Sequence, residues 1–184
     1  MSAAVIRTAT LEAFADTIVP GEKRWDGDVA VAGAAPGGGA VAAGALELLA
    51  TDGAGMAPVT DDLAVALNGH AAGWAAERGI ELDPELPAFV ALRFADRTAL
   101  VAGLTAPGHP ERELWVILAL FSNMAYDSAA HLHTTEALAA GHPGLLAMGL
   151  NQPDPDGLWR FPDYSYRRVL ARPHPATTPS GSPA

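Results

Sequence analysis

Apolar side chains recur every three or four residues along most of the chain, a spacing that places them on one side of an α-helix. The pattern is strongest in a helix predicted to begin near Pro110 and to continue through residues 122–133. Its apolar positions follow the spacing i, i+3, i+4 and i+7: Leu114, Ile117, Leu118 and Phe121, with Trp115 and Met124 widening the face. A helix that is apolar around so much of its circumference is expected in the centre of a bundle, so we predict that the four spaced residues are buried.

Proline and glycine separate this helix from the others and divide the chain into about six helical segments. The first segment has apolar residues up to Ile18 and is stopped by Pro20-Gly21. The second runs from about Ala40 to Ala50. Between them, residues 21–39 are too rich in glycine and proline for a regular element, and we predict an ordered loop around Trp25.

Two further helices are predicted in the middle of the sequence. The third has Thr60 as its N-cap, two aspartates in its first turn, and an end near Gly79. The fourth begins at Pro87, which suits a first-turn position, and ends within residues 103–107. The fourth segment has the apolar residues of a helix with one buried face.

Composition favours one helical domain. Alanine supplies much of the 49% hydrophobic content of this 184-residue chain, and alanine favours helices over strands. We predict a single all-α domain, a helical bundle, over residues 1–170. Residues 171–184, rich in proline, serine and threonine, predict a disordered tail. The segment before this tail carries four aromatic side chains: Trp159, Phe161, Tyr164 and Tyr166.

Charge and residue content exclude several function classes. The formal net charge is −10, with only 11 Lys and Arg, which argues against nucleic-acid binding because phosphate contacts depend on clustered basic residues. Without cysteine, disulfides and thiolate chemistry are excluded. The start of the chain lacks a signal-peptide pattern. The longest apolar run elsewhere in the sequence, Leu114 to Phe121, is far shorter than the ~20 residues that span a bilayer. We expect a cytoplasmic protein without membrane insertion.

Acid–base chemistry has four candidate residues near the end of the predicted fifth helix. These are Tyr126, Asp127, His131 and His133. A histidine beside a carboxylate can transfer a proton near neutral pH. The favoured interpretation is simpler: Asp127 and His131, at i and i+4, form a surface pair worth ~0.3–0.5 kcal/mol.

Metal and nucleotide cofactors are not expected in this chain. On a helix, His131 and His133 would point about 200° apart, so they could share an ion only if the backbone there is not helical. The spacing of His131, His133 and His142 matches no zinc motif. The glycine-rich sequence "GAAPGGGA" lacks the residues of a phosphate-binding loop.

Two stretches resemble a known family. "TLEAFADTIVPG", residues 10–21, is similar to the opening of the gluconate 2-dehydrogenase subunit 3 family, whose members begin with a helix of the form Leu-x-Ala-x-Ala-Asp-Thr-Ile-Ile-Pro. "GHPG", residues 141–144, lies between Tyr126 and Phe161-Pro162-Asp163-Tyr164. It resembles that family's closing pattern of a tyrosine-bearing helix, a Gly-Tyr-Pro-Gly turn and an aromatic tail, with His142 in place of the aromatic residue of the turn.

The resemblance implies a small helical subunit that pairs with a large FAD-dependent oxidoreductase of the glucose, methanol and choline class. Such a subunit helps its partner to fold, mature or stay active, and the FAD and catalytic histidine belong to the partner. Many relatives carry a twin-arginine export signal, which this sequence lacks. The high content of alanine, glycine and proline is typical of a high-GC bacterial genome, where the pair could serve a specialised biosynthetic pathway.

Three hypotheses follow, of which the accessory subunit is preferred. The second is a small stand-alone enzyme that acts on an apolar substrate through the four acid–base candidates. The third is a non-catalytic protein that binds a hydrophobic ligand. For the accessory subunit, aromatic and rigid residues presented from loops are the expected partner contacts: Trp25, His142, Pro143, Trp159, Phe161, Tyr164 and Tyr166.

Overall fold

The computed structural model of the chain describes residues 1–152 and 175–176. These residues form helices and no strand, so the predicted all-α fold is confirmed. The helices are, in chain order, α1 (Ala3–Ile18), α2 (Ala45–Ala50), α3 (Thr60–Arg78), α4 (Ala88–Ala91), α5 (Phe94–Leu104), α6 (Arg112–Ser128), α7 (Thr134–Ala139) and α8 (Pro143–Ala147). Two 3₁₀ turns, Asp52–Ala54 and Ala57–Val59, lie between α2 and α3.

The eight helices lie within one unit of the chain, Met1–Leu150, and Asn151–Ala184 forms a second unit. In the part of the chain that the structure describes, no helix is both long enough and apolar enough to cross a membrane.

Helix α1 occupies the centre of the first unit, where it packs against α2, α3, α4, α5 and α6. Its buried side chains include Leu11 and Phe14, and the ring of Phe14 lies 6.1 Å from that of Trp115 in α6. The helix ends at Ile18, because Pro20 cannot continue the helical hydrogen-bond ladder. The predicted end of the first helix is therefore confirmed, and α1 has the central position that the sequence pattern assigned to α6.

Helix α6 is only partly buried, which corrects the prediction made from its apolar pattern. Its buried residues are Trp115, Leu118, Ser122 and Ala125. Leu114 and Ile117 are instead exposed, by 37% and 43%, and Phe121 is half-buried. The reason is that small side chains allow close helix packing: Ala125 lies in a cluster with Ala45 and Leu48 of α2. Leu114 and Ile117 are consequently turned away from the core, whereas Leu118 is buried as predicted.

Helix α2 begins at Ala45, later than predicted, because glycine ends a turn immediately before it. Gly44 adopts a φ of +85°, in the left-handed region that favours glycine. The N–H of Ala45 donates to the carbonyl of Ala40 at 3.0 Å, which closes the turn over residues 40–44. The preceding segment, residues 21–39, contains no helix or strand, as predicted.

The start of α3 also differs from the prediction. The second 3₁₀ turn runs directly into the helix, so Val59 is the N-cap residue. The hydroxyl of Thr60 donates to the carbonyl of Ala57 at 3.0 Å instead of capping the helix. The predicted end is confirmed, since Gly79 adopts the left-handed conformation that ends many helices.

The predicted fourth helix is divided into α4 and α5 by extended backbone at Leu92 and Arg93. The guanidinium of Arg97 is buried beside this break and donates to the carbonyls of Leu92 at 3.0 Å and Ala30 at 2.8 Å. It also donates to the carbonyl of Val90. Arg97 therefore donates hydrogen bonds to the carbonyl groups that a continuous helix would have bonded internally. Its bond to Ala30 also holds the loop that follows α1.

Candidate functional site

Four large apolar side chains lie exposed along one side of α6, and we call them the α6 face. Leu114 and Ile117 are joined by Leu120, exposed by 53%, and Met124, exposed by 41%. Successive members are three or four residues apart, so they share one side of the helix. Large apolar groups that are exposed together mark interaction surfaces on proteins. The α6 face is therefore the candidate docking surface.

Trp25 is a second exposed apolar group, at a groove of about 340 Å³ between α1 and the following loop. Val5 and Val29 also line this groove and are exposed. The guanidinium of Arg24 lies 4.6 Å from the centre of the Trp25 ring, and two hydrogen bonds of 2.6 and 2.7 Å hold it to Glu12. An aromatic ring held in this way suits a partner contact, because binding would cost it little further conformational entropy. The partner-binding role of Trp25 stays a prediction.

The motif at the end of α1 has a structural role. The buried carboxylate of Asp16 accepts hydrogen bonds from the N–H groups of Gly21 at 3.2 Å and Ala32 at 2.8 Å. Burial raises the pKa of Asp16, and these two hydrogen bonds partly offset the rise. A Cβ atom on Gly21 would lie 2.3 Å from the nitrogen of Gly39, so only glycine fits there. Asp16 and Pro20-Gly21 therefore lock the loop onto α1.

The histidine of the "GHPG" stretch also acts within the fold. His142 is buried; its Nδ1 accepts the N–H of Leu145 at 3.3 Å, and its Nε2 lies 3.1 Å from the carbonyl oxygen of Ala43. The ring proton is therefore on Nε2 and is donated to Ala43. His142 therefore caps α8 with an enclosed ring, and its expected role as a partner contact stays a prediction. Pro143 is half-buried and packs on Gly38, where a Cβ would lie 2.8 Å from that of the proline.

The last glycine of this stretch places α8 directly on α6. A Cβ atom on Gly144 would lie 1.8 Å from the carbonyl oxygen of Tyr126. Tyr126 is thus half-buried and contacts the turn through its backbone. Residues 37–44 contact the end of α1 on one side and the start of α8 on the other. The two stretches that carry the resemblance therefore meet in one structural unit.

The four acid–base candidates do not share a helix face, because α6 ends at Ser128 and Ala129 adopts a φ of +48°. Asp127 is exposed and forms no ion pair with His131 within residues 1–152, so the favoured i,i+4 pair does not form. His133 is the N-cap residue of α7, and its Nδ1 lies 2.7 Å from the hydroxyl of Thr135. Any catalytic role of these residues stays a prediction.

His131 lines a cleft of about 340 Å³ together with Glu47 and the enclosed ring of His142. Its Nδ1 is buried and has no hydrogen-bond partner among the described residues. Burial lowers the pKa of His131, and Glu47 acts in the opposite direction. A Cβ on Gly44 would lie 2.4 Å from Nε2 of this ring, so His131 packs on the backbone of the turn before α2.

The described residues contain no metal-binding cluster, and they do not include the C-terminal aromatic residues. Among residues 1–152 and 175–176, no group of three or more His, Asp or Glu side chains is placed to hold a metal ion. The predicted partner contacts Trp159, Phe161, Tyr164 and Tyr166 lie outside the described residues. Their roles therefore stay predictions.

A second histidine cluster was missed by the sequence analysis. Nε2 of His70 lies 2.7 Å from Oε2 of Glu111, and the same oxygen accepts the indole N–H of Trp115 at 3.0 Å. The N–H of Glu111 donates to Nδ1 of His109 at 3.2 Å, and the two imidazole centres are 6.0 Å apart. The hydrogen bonds from His70 and Trp115 lower the pKa of Glu111. His70 is 41 residues from Glu111, so local spacing gave no signal.

Comparison with known proteins assigns a family without an activity. The model of a family of unknown function, DUF5987, matches residues 5–184. No curated protein and no solved structure matches the chain.

Proposed function

The chain belongs to the DUF5987 family, and we propose that it is a non-catalytic accessory subunit of a FAD-dependent oxidoreductase of the glucose, methanol and choline class. It binds the large subunit and supports its folding, maturation or activity. FAD is held by the partner, and this chain binds no cofactor. The complex belongs in the cytoplasm, in a specialised biosynthetic pathway of a bacterium. The observation that carries the proposal is the exposed α6 face.

The α6 face is held rigidly, which favours binding. On the neighbouring side of the helix, Trp115 and Leu118 are almost fully buried in the core. A partner that covers Ile117 and Leu120 therefore gains apolar burial without having to order a flexible segment. Apolar side chains on a fixed element are typical of the central region of a stable interface.

The resemblance of the two terminal stretches supports the choice of partner. Both stretches act in the fold: Asp16 and Gly21 lock the loop after α1, His142 caps α8, and Gly144 allows α8 to pack on α6. Residues with such contacts are those that a shared helical fold requires. This supports a structural relationship with the gluconate 2-dehydrogenase subunit 3 family and, through it, the proposed partner.

The stand-alone enzyme of the second hypothesis is less well supported. Its candidate residues do not share a helix face. Asp127 is exposed, and within the described residues no hydrogen bond joins it to His131 or His133. General acid–base chemistry needs its groups within hydrogen-bond reach of one substrate. The accessory role depends on a surface that the structure presents, whereas this enzyme would need its candidates to be rearranged.

Co-expression tests the proposal. The chain is produced with the FAD-dependent oxidoreductase of this class whose gene lies nearest to its own, and the products are separated by size. We expect one complex that contains both chains and FAD. The double variant Ile117→Glu, Leu120→Glu should weaken the complex by at least about a hundredfold, because it places two carboxylates in an apolar interface.

The control is Val65→Glu, which introduces one carboxylate, where the double variant introduces two, at a side chain of α3 that is 73% exposed. This variant should form the complex as well as the unaltered chain does. All variants should keep their helical circular dichroism and melting temperature, since each changed side chain is exposed. A complex that survives the double α6 substitution, or no complex with the unaltered chain, would contradict the proposal.

A further inference from the structure

A cleft of about 350 Å³ lies between α3 and α5, beside the cluster formed by His70 and Glu111. His70, Trp74 and His109 line it together with the apolar side chains of Leu100 and Leu104. This volume is at the lower end of the range of small-molecule sites, and the mixture of apolar walls and a few polar groups is typical of them. The accessory role proposed above does not require such a cleft.

Three helical glycines line the cleft, so part of its surface, which we call the glycine floor, is backbone without side chains. Gly69 and Gly73 lie in α3 and Gly103 lies in α5, and all three line the cleft. A Cβ atom on any of them would meet nothing within 4 Å, so the packing of the chain itself does not require glycine there. Glycine is less favourable than alanine inside a helix. The exposed backbone leaves room for a flat group to approach both helices closely.

Two nitrogen atoms of the histidine pair remain available to a ligand. Glu111 accepts the Nε2 proton of His70, so the neutral His70 ring has an acceptor at Nδ1. His109 accepts the N–H of Glu111 at Nδ1, so the neutral His109 ring has a donor at Nε2. Neither of these two atoms has a hydrogen-bond partner in residues 1–152 or 175–176. In the same part of the chain, the buried indole nitrogen of Trp74 also has none.

The two carboxylates near the cleft already accept hydrogen bonds or form an ion pair. Glu111 accepts from both His70 and Trp115, and Glu77 lies 3.1 Å from the guanidinium of Arg78. The guanidinium of Arg78 in turn covers the Trp74 ring at 3.3 Å from its centre. Because Arg78 covers this face of the indole and places a positive charge beside the cleft, the cleft does not favour a cationic ligand. The groups left unpaired suit a neutral ligand that both donates and accepts one hydrogen bond.

We propose that this cleft binds a small phenol, a flat aromatic ring that carries a hydroxyl group. The hydroxyl donates its proton to Nδ1 of His70 and accepts the Nε2 proton of His109. The ring lies on the glycine floor against Leu100 and Leu104. Glu111 holds the His70 ring in the tautomer that accepts the hydroxyl proton.

Calorimetric titration of the purified full chain with 4-cresol tests the proposal. We expect saturable one-to-one binding, with quenching of tryptophan fluorescence because Trp74 lines the cleft. 4-Methylanisole has the same ring but no hydroxyl proton, and it should bind roughly tenfold more weakly. His70→Phe should reduce the affinity for 4-cresol by a similar factor, whereas His133→Phe, a matched change at an exposed histidine outside the cleft, should leave it unchanged.

A steric block provides an independent measurement. Gly73→Leu fills the cleft and should abolish binding while the helical circular dichroism is kept, because leucine is a better helix former than glycine. Gly103→Leu makes the same test from α5 if the first variant folds poorly. Binding that survives both blocks, equal affinities for 4-cresol and 4-methylanisole, or no saturable binding of 4-cresol would overturn the proposal. Tighter binding of N-acetyltyrosinamide than of 4-cresol would also overturn it, in favour of a tyrosine side chain from a partner protein.

Discussion

Individual buried charges hold the loop that follows α1. The carboxylate of Asp28 accepts a hydrogen bond from Nε of Arg24 at 2.7 Å and from the N–H groups of Ala30 and Val31, each at 3.2 Å. Burial by itself would raise the pKa of Asp28, but the hydrogen bonds from Arg24 and the backbone outweigh it and hold the pKa below its ordinary value. Asp28 therefore ties three parts of the loop together.

The lowered pKa of Asp28 predicts that the stability of the chain depends on pH. Because the pKa is lower in the folded chain, the ionised carboxylate stabilises the fold above its unfolded pKa of about 3.9, and this contribution is lost as the pH falls toward the folded value. Asp28→Asn should destabilise the chain by ~1–3 kcal/mol at pH 7. Denaturant unfolding at pH 7 and at acid pH measures both effects, and a difference between the two proteins that does not shrink in acid would contradict this account.

The roles of the notable residues could be predicted only in part. Asp16 and His142 stand out in the sequence because they belong to motifs, but their partners lie far along the chain. Asp16 bonds to Ala32, 16 residues away, and His142 bonds to Ala43, 99 residues away. Contacts of this length depend on the tertiary fold, so the sequence could not show which distant groups these two side chains bind. The cluster of His70 and Glu111 has no motif and was missed for the same reason.

At the scale of elements, periodicity located the helices better than it oriented them. The ends of α1 and α3 follow from proline and glycine signals that act locally, and both were predicted. The buried side of α6 was predicted only in part: Leu118 is buried as expected, but Leu114 and Ile117 are exposed, because the pattern weighs large apolar residues. The observed packing uses Ala125 against α2 and Gly144 of α8 against the backbone of Tyr126. Small residues carry little hydrophobic signal but decide which side of a helix can approach another.

Helical glycines give a paired prediction, since the same substitution should have opposite effects at two sites. Gly73→Ala places its Cβ in open space within α3 and should stabilise the chain by ~0.5–1 kcal/mol. Gly144→Ala would place its Cβ 1.8 Å from a carbonyl oxygen and should destabilise it by ~1–3 kcal/mol, because α8 must move away from α6. Equilibrium denaturation compares the two variants. Equal effects at both positions would mean that the described packing of α8 is wrong.

At the scale of the whole molecule, the helical class follows from composition, and the arrangement of helices places a core around α1. The core does not enclose all of the large apolar side chains, and four of those left exposed form the α6 face. Of these four residues, the sequence pattern had assigned Leu114 and Ile117 to the interior and had placed Met124 on the same apolar side of the helix. The error is informative, because a stripe that reads as core and lies exposed is the expected signature of a surface that another protein covers.

Hydroxyl-radical footprinting of the co-expressed complex tests the proposed docking surface most directly. In the free chain, Leu114, Ile117, Leu120 and Met124 should be oxidised readily, because all four are exposed. In the complex with the FAD-dependent oxidoreductase they should be protected, while Val65 on α3 is labelled as strongly as before. Unchanged labelling of the α6 face in a complex that contains both chains would contradict the account.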